Sequence, residues 1–132
     1  MSNTLLVRII LPSKIILKTE ADMVNIPGGE GVFGVLPGHA KLTSNIDIGI
    51  VTLFLGDKEI KYFVYGGIAQ VTGPELNIVS EFAVDLEAVD KSTVLNKITN
   101  LKSDLSGELE KSLEADIISS NIEKYHALLK FI

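Results

Sequence analysis

Cysteine and tryptophan are absent from this 132-residue chain, arginine occurs once, at Arg8, and aromatic residues make up only 6% of it. The missing thiols exclude disulfides, cysteine nucleophiles and Cys-ligated metal centres together. The two histidines, His39 and His126, lie far apart in sequence and form no H-x-x-x-H pair, so no zinc site is expected. A net charge of −5 with a single guanidinium argues against a surface that grips nucleic-acid phosphates, which draws on clustered Arg and Lys. Long apolar runs are lacking too. Stretches such as residues 51–55 are far too short to span a bilayer, and the N-terminus has no basic segment leading into an apolar stretch and a cleavage site. The chain is therefore expected to act on the side of the membrane where it is made, without inserting. No Ser/His/Asp set, catalytic carboxylate pair or Walker sequence is present, so no enzymatic chemistry and no cofactor are expected either. Protein partners are the class that remains.

What the chain does have is aliphatic content, with hydrophobic residues at 46%, and one concentrated run of chain-turning residues. Residues 26–42 read I-P-G-G-E-G-V-F-G-V-L-P-G-H-A-K-L, with five glycines (Gly28, Gly29, Gly31, Gly34, Gly38) and two prolines (Pro27, Pro37) among single apolar side chains. Such a stretch predicts repeated turns or a bent strand anchored to a core. Gly29, Gly31 and Gly34 also spell G-x-G-x-x-G, but the dinucleotide fingerprint needs a helix starting within it, and Pro37-Gly38 stops a helix before its second turn. A nucleotide-using enzyme is the reading this disfavours.

Around that stretch, short β-rich runs fall at residues 5–11, 14–20, 22–26, 46–55, 59–65, 68–71 and 75–80, divided by Pro12-Ser13, Gly56-Asp57-Lys58, Gly66-Gly67 and Gly73-Pro74. This spacing predicts an antiparallel β-sandwich over residues 1–84. From Asp85 on, glycine and proline nearly vanish and the apolar spacing becomes three and four. Val94, Ile98, Leu101 and Leu105 form one helical stripe. A break is expected at residues 103–107, and a second stripe follows on Leu109, Leu113, Ile117 or Ile118, Ile122, Tyr125, Leu129 and Ile132. The fold class is thus α+β in two parts: an N-terminal sandwich over 1–84 and a C-terminal antiparallel two-helix hairpin over 85–132.

The run from Ile26 to Ala40, continued by Leu42-Thr43, resembles the hallmark stretch of the epsilon subunit of F-type ATP synthase. Tyr65-Gly66-Gly67-Ile68-Ala69-Gln70-Val71 is similar to that family's glycine-pair strand, and the change of character near Asp85 matches its division into sandwich and hairpin. The resemblance implies a non-catalytic central-stalk subunit of a proton-translocating machine, peripheral on the cytoplasmic face of the cell membrane. Its sandwich would clamp the gamma subunit and touch the polar loops of the c-ring. Its hairpin would reach the alpha/beta hexamer when extended and inhibit ATP hydrolysis there. The partner-contact residues carried over are Gly28, Glu30, Gly31, Val32, Gly34, Pro37, Gly38 and His39. Read from its own surroundings, His39 serves equally as a loop hydrogen-bonder or as a partner contact. A stand-alone β-sandwich adaptor without a rotary role is the alternative.

Two departures from the family pattern bear on function. Val32 stands where many members have an acid that contacts the ring. Many bacterial members also carry Ile/Leu-Asp-x-x-Arg-Ala at the start of the first helix, associated with ATP binding, and here the stretch is Leu86-Glu87-Ala88-Val89-Asp90-Lys91. Asp90 replaces the arginine, removing the guanidinium fork that holds phosphate, and Asp85, Glu87 and Asp90 suit instead the positive end of a helix. The resemblance also implies an extended hairpin that presents basic residues to an acidic loop of the beta subunit, whereas the tail from residue 85 carries nine acids against six lysines, which opposes that docking.

Overall fold

In the computed structural model, residues 4–106 and 113–132 are described. The chain divides into two compact units, Met1–Asp85 and Leu86–Ile132.

The first unit holds eight strands: β1 (Leu5–Leu11), β2 (Lys14–Ala21), β3 (Met23–Gly28), β4 (Gly31–Val35), β5 (Leu42–Leu55), β6 (Lys58–Val71), β7 (Glu75–Val79) and β8 (Ala83–Asp85). They form one hydrogen-bonded sheet in the order β2-β1-β7-β6-β5-β3-β4, with β8 also on β6. All pairings are antiparallel except β1 with β7. The sheet folds over into two layers because its two longest strands change face midway. In β5 the buried positions run Ile46, then Gly49, Val51 and Leu53. In β6 they include Tyr62 and Val64, then Ala69 and Val71. Each sequence shifts its alternation by one residue, which turns the following side chains to the opposite side of the strand.

The shift coincides on the two strands. Ile46 pairs with Gly67 and Ile48 with Tyr65, leaving Asp47 and Gly66 opposite each other without a ladder pairing. One half of the β5–β6 ribbon thus continues the β2-β1-β7 layer and the other half joins β3, β4 and β8. Between the layers lies a core of Leu5, Val7, Ile9, Ala21, Val24, Ile26, Val35, Ile46, Val51, Leu53, Tyr62, Val64, Ala69, Val71, Leu76 and Ile78. This is the aliphatic, aromatic-poor interior the composition implies.

The corner is a glycine site for a steric reason. Gly67 has φ of +144°, and a Cβ there would collide with the Val79 carbonyl oxygen and come within 3.2 Å of the Ser80 Cα. Gly66-Gly67, expected to divide two strands, instead sits inside the continuous β6. The other revisions in this unit are of extent and of strand number. β5 begins at Leu42 rather than at residue 46, and β8 was not anticipated.

The second unit holds α1 (Lys91–Ser106) and α2 (Leu113–Leu129), packed against each other as the helical hairpin. α1 starts later than the acidic run suggested. Asp85 belongs to β8, Glu87 lies in a turn, and Asp90 is the N-cap. Val94 and Ile98 are buried as expected, and Leu101 and Leu105 are half-buried. Of the expected break, residues 103–106 are helical, and Gly107, like Leu109, falls outside the described residues. The α2 stripe holds through its middle, on Ile118 rather than Ile117, and departs from expectation at its ends. Ala115 and Leu128 are buried and Ile118, Ile122, Tyr125 and Leu129 half-buried, while Leu113, Ile117 and Ile132 are exposed. No described helix is long and apolar enough to cross a membrane.

Candidate partner-contact site at the glycine-rich hairpin

The run 26–42 folds as a β-hairpin followed by a reverse turn, so most of the expected turning is confined to two places. Pro27 and Gly28 finish β3 rather than ending it early, and Gly31–Val35 forms a strand that the glycine density concealed. The ladder runs Val24 with Val35, Ile26 with Phe33 and Gly28 with Gly31, closed by the two residues Gly29 and Glu30. Alternation sends Val24, Ile26 and Val35 into the core with Phe33 packed against it. Gly28 is required by that ring: a Cβ there would lie 2.9 Å from Phe33 Cδ1.

β3 pairs with β5 only from Met23 to Asn25 and then continues with β4 alone. Pro27 is suited to the unpaired stretch because it has no N–H to leave unsatisfied. Its ring stands over Gly49 of β5, where an added Cβ would fall 3.0 Å from the proline Cβ. Where the hairpin departs from β5, an open groove of about 450 Å³ forms, lined by Gly28, Gly29, Glu30, Gly31, Val32, Phe33, Ser44 and Asn45. Ser44 and Asn45 were not anticipated as lining residues, because Thr43-Ser44-Asn45 has the composition of a loop. A strand beginning at Leu42 was the signal that would have found them.

The reverse turn spans residues 36–39. The His39 N–H donates to the Leu36 carbonyl at 3.0 Å, Pro37 takes the second position, and Gly38 at φ +78° takes the third. This is a type II turn, which requires positive φ at its third residue. The His39 ring turns onto its own loop, with Nδ1 2.7 Å from the Ala40 carbonyl. A carbonyl can only accept, so Nδ1 carries the proton in this contact and Nε2 is left as the second ring nitrogen.

Four of the eight expected contact residues, Gly28, Glu30, Gly31 and Val32, thus share the groove, whereas Gly34, Pro37, Gly38 and His39 do not line it. Gly34 faces elsewhere, toward Asn25 Oδ1 and Met23 Sδ. Val32 is 68% exposed, the second most exposed of the large hydrophobics among the described residues after Leu113. The groove offers backbone, one carboxylate, two small polar side chains and this apolar tip. Its one carboxylate, Glu30, is exposed, while the Ser44 hydroxyl donates to the Asn45 carbonyl at 3.1 Å, and the described residues contain no group of three His, Cys, Asp or Glu side chains able to hold a metal ion. The G-x-G-x-x-G glycines lie in a hairpin with no helix after them, so they build no pyrophosphate site.

Comparison with known proteins points the same way. Residues 4–86 match the family described as ATP synthase, Delta/Epsilon chain, beta-sandwich domain. The chain is 37% identical over 109 residues to the ATP synthase epsilon chain of Rickettsia felis, covering 80% of this chain and 97% of that protein. It is 32% identical over 124 residues to that of Afipia carboxidovorans, covering 94% and 90%. The fold is shared with a chain of the Euglena gracilis mitochondrial ATP synthase, at a TM-score of 0.67 and 20% identity over 99% of this chain and 82% of the other. It is shared also with a chain of the Tetrahymena thermophila mitochondrial ATP synthase central stalk and c-ring, at 0.55 and 10% over 95% and 96%. With residues 4–86 matching the family's sandwich domain and a relative 37% identical over 97% of its own length, the chain belongs to the ATP synthase delta/epsilon chain family.

Proposed function

We propose that this chain is a non-catalytic central-stalk subunit of a proton-translocating F-type ATP synthase, coupling rotation of the c-ring and gamma subunit to ATP synthesis. The observation that carries this reading is the family match over residues 4–86, extended by relatives named as epsilon chains across 80% to 94% of the chain. It favours a stalk role over a stand-alone adaptor. The open groove, with its exposed Val32 tip and small polar lining, suits contact with a protein partner.

Within that role, the sandwich of residues 1–84 is the part that grips gamma and the c-ring polar loops, and the hairpin of residues 85–132 is the part that reaches the alpha/beta hexamer. The exposed hairpin tip supports a ring contact through Glu30 and Val32. With an aliphatic group at Val32, that contact draws on apolar burial where many relatives use a carboxylate. The type II turn at Pro37-Gly38-His39 supports a second point of contact, with the imidazole oriented by its own loop. The subunit sits peripherally on the cytoplasmic face of the cell membrane, held by its partners.

Co-purification tests the assignment. The tagged whole chain, co-expressed with its cognate gamma and c subunits, is expected to recover gamma in one-to-one ratio. Recovery of the chain alone, under conditions where gamma is soluble and folded, contradicts it.

A further inference from the structure

Nucleotide is the ligand that the family resemblance implies for the start of the first helix, and the residues present there do not fit it. Asp90 stands where the motif has arginine. Its Oδ1 accepts the Thr93 backbone N–H at 2.7 Å, while its own carbonyl accepts the Val94 N–H at 3.2 Å. Those two bonds make Asp90 the N-cap of α1. Free N–H groups at a helix start are what a phosphate oxygen would use, and here the Thr93 donor is already taken by a carboxylate of the same chain.

Charge opposes phosphate as well. Hydrogen bonds from Thr93, its backbone N–H foremost, hold the Asp90 carboxyl below the usual carboxylate range, so it is an anion at neutral pH. Asp85 and Glu87 precede it in sequence, and Lys91 is the only cation among residues 85–93. A lysine offers a point charge without the planar fork that grips phosphate at two oxygens. A polyphosphate would have to displace the cap and accept an anion as neighbour.

We infer that the start of α1 is closed to phosphate-bearing ligands, its first turn being held by its own Asp90 cap, so that ATP does not bind there. In the assembled machine this deepens the stalk reading above and rests on it; the binding behaviour itself belongs to the free chain and is measured there.

The test is titration calorimetry of the whole chain with MgATP at neutral pH, paired with amide exchange at Thr93 followed by NMR. The natural chain is expected to show no saturable heat with millimolar ATP and no change in Thr93 exchange. Asp90→Ala accelerates that exchange several-fold without any nucleotide, whereas Asp90→Asn, which retains a capping oxygen, leaves it protected. Saturable, submillimolar MgATP binding by the natural chain overturns the inference, as does a Thr93 amide that exchanges equally fast before and after Asp90→Ala. A failure of the stalk assignment would appear elsewhere, as absent gamma in the co-purification.

Discussion

The Ser80 hydroxyl donates to the Gly66 carbonyl across 2.6 Å, tying the segment after β7 to the corner at which β6 changes layers. The same hydroxyl oxygen lies 3.0 Å from the Phe82 carbonyl and accepts the Phe82 N–H at 3.4 Å. The Tyr65 N–H donates to the Phe82 carbonyl at 3.0 Å, and the Ser80 N–H to the Ile10 carbonyl at 3.0 Å. β7 and β8 keep one register along β6, Ile68 with Val79 and Val64 with Ala83, and Ser80 occupies the break between them. A buried hydroxyl therefore satisfies backbone groups that the bend removes from the ladder.

Ser80→Ala is expected to cost about 1–3 kcal/mol of unfolding free energy, the range for leaving buried backbone groups without a partner. Urea denaturation followed by circular dichroism checks it. A midpoint equal to that of the natural chain would mean that water replaces the hydroxyl without loss.

Gly67→Ala is the more severe change. The alanine has to adopt a positive φ and at the same time push against the Val79 carbonyl, which belongs to backbone and cannot rotate aside. Backbone strain alone is worth about 1–3 kcal/mol, and the collision adds to it. Gly29→Ala, at an exposed position with open space around the missing Cβ, serves as the comparison and is expected to change stability far less in the same denaturation experiment.

Val32→Lys separates folding from assembly. At 68% exposure the side chain contributes little to the core, so stability is expected to stay within about 0.5 kcal/mol of the natural chain. Binding to a c-ring and gamma preparation is expected to weaken by at least about 1 kcal/mol, roughly fivefold, if the tip is a ring contact. Unchanged affinity in a competition assay would remove Val32 from the interface.

Acid should loosen the start of α1. The folded-state pKa of Asp90 is depressed by the Thr93 backbone N–H and then by the Thr93 side chain, against an opposing effect of desolvation, with the Ser92 N–H adding least. A depressed folded pKa means the cap's contribution is present above the unfolded carboxylate pKa and is lost as pH falls through the folded value. Helical circular dichroism is therefore expected to fall on acidification below the ordinary carboxylate range, and Asp90→Asn is expected to flatten that part of the profile. An unchanged profile in the variant would assign the acid response to other carboxylates.

Much of this was legible in the sequence because the relevant signals are local. The change from period two to period three or four near Asp85 marks the passage from strands to helices, and Val94 and Ile98 are buried where their spacing placed them. What was hidden depends on contacts distant in sequence. Pro27 and Gly28 look like terminators, yet they complete a strand because only β4 pairs with them there. Gly66-Gly67 reads as a turn, but its purpose is close approach to Val79 and Ser80, which no neighbouring residue reveals. In α2, Ile118, Ile122, Tyr125 and Leu129 lie on the inward side where their spacing placed them, Ile118 rather than Ile117 being the member of the stripe, while the small Ala115 takes the buried place expected of Leu113. Half of the expected contact residues gather at one groove because the hairpin carries them there. Ser44 and Asn45 join from a strand whose polar start disguised it.

The most direct test of the stalk assignment is ATP-driven proton pumping by membranes from which the cognate synthase's own subunit of this kind has been stripped, measured with ATP hydrolysis in the same sample before and after adding the whole chain. The account predicts that the chain binds one-to-one and raises the protons pumped per ATP hydrolysed. Absence of binding, with pumping and hydrolysis both unchanged by a folded chain, would contradict it.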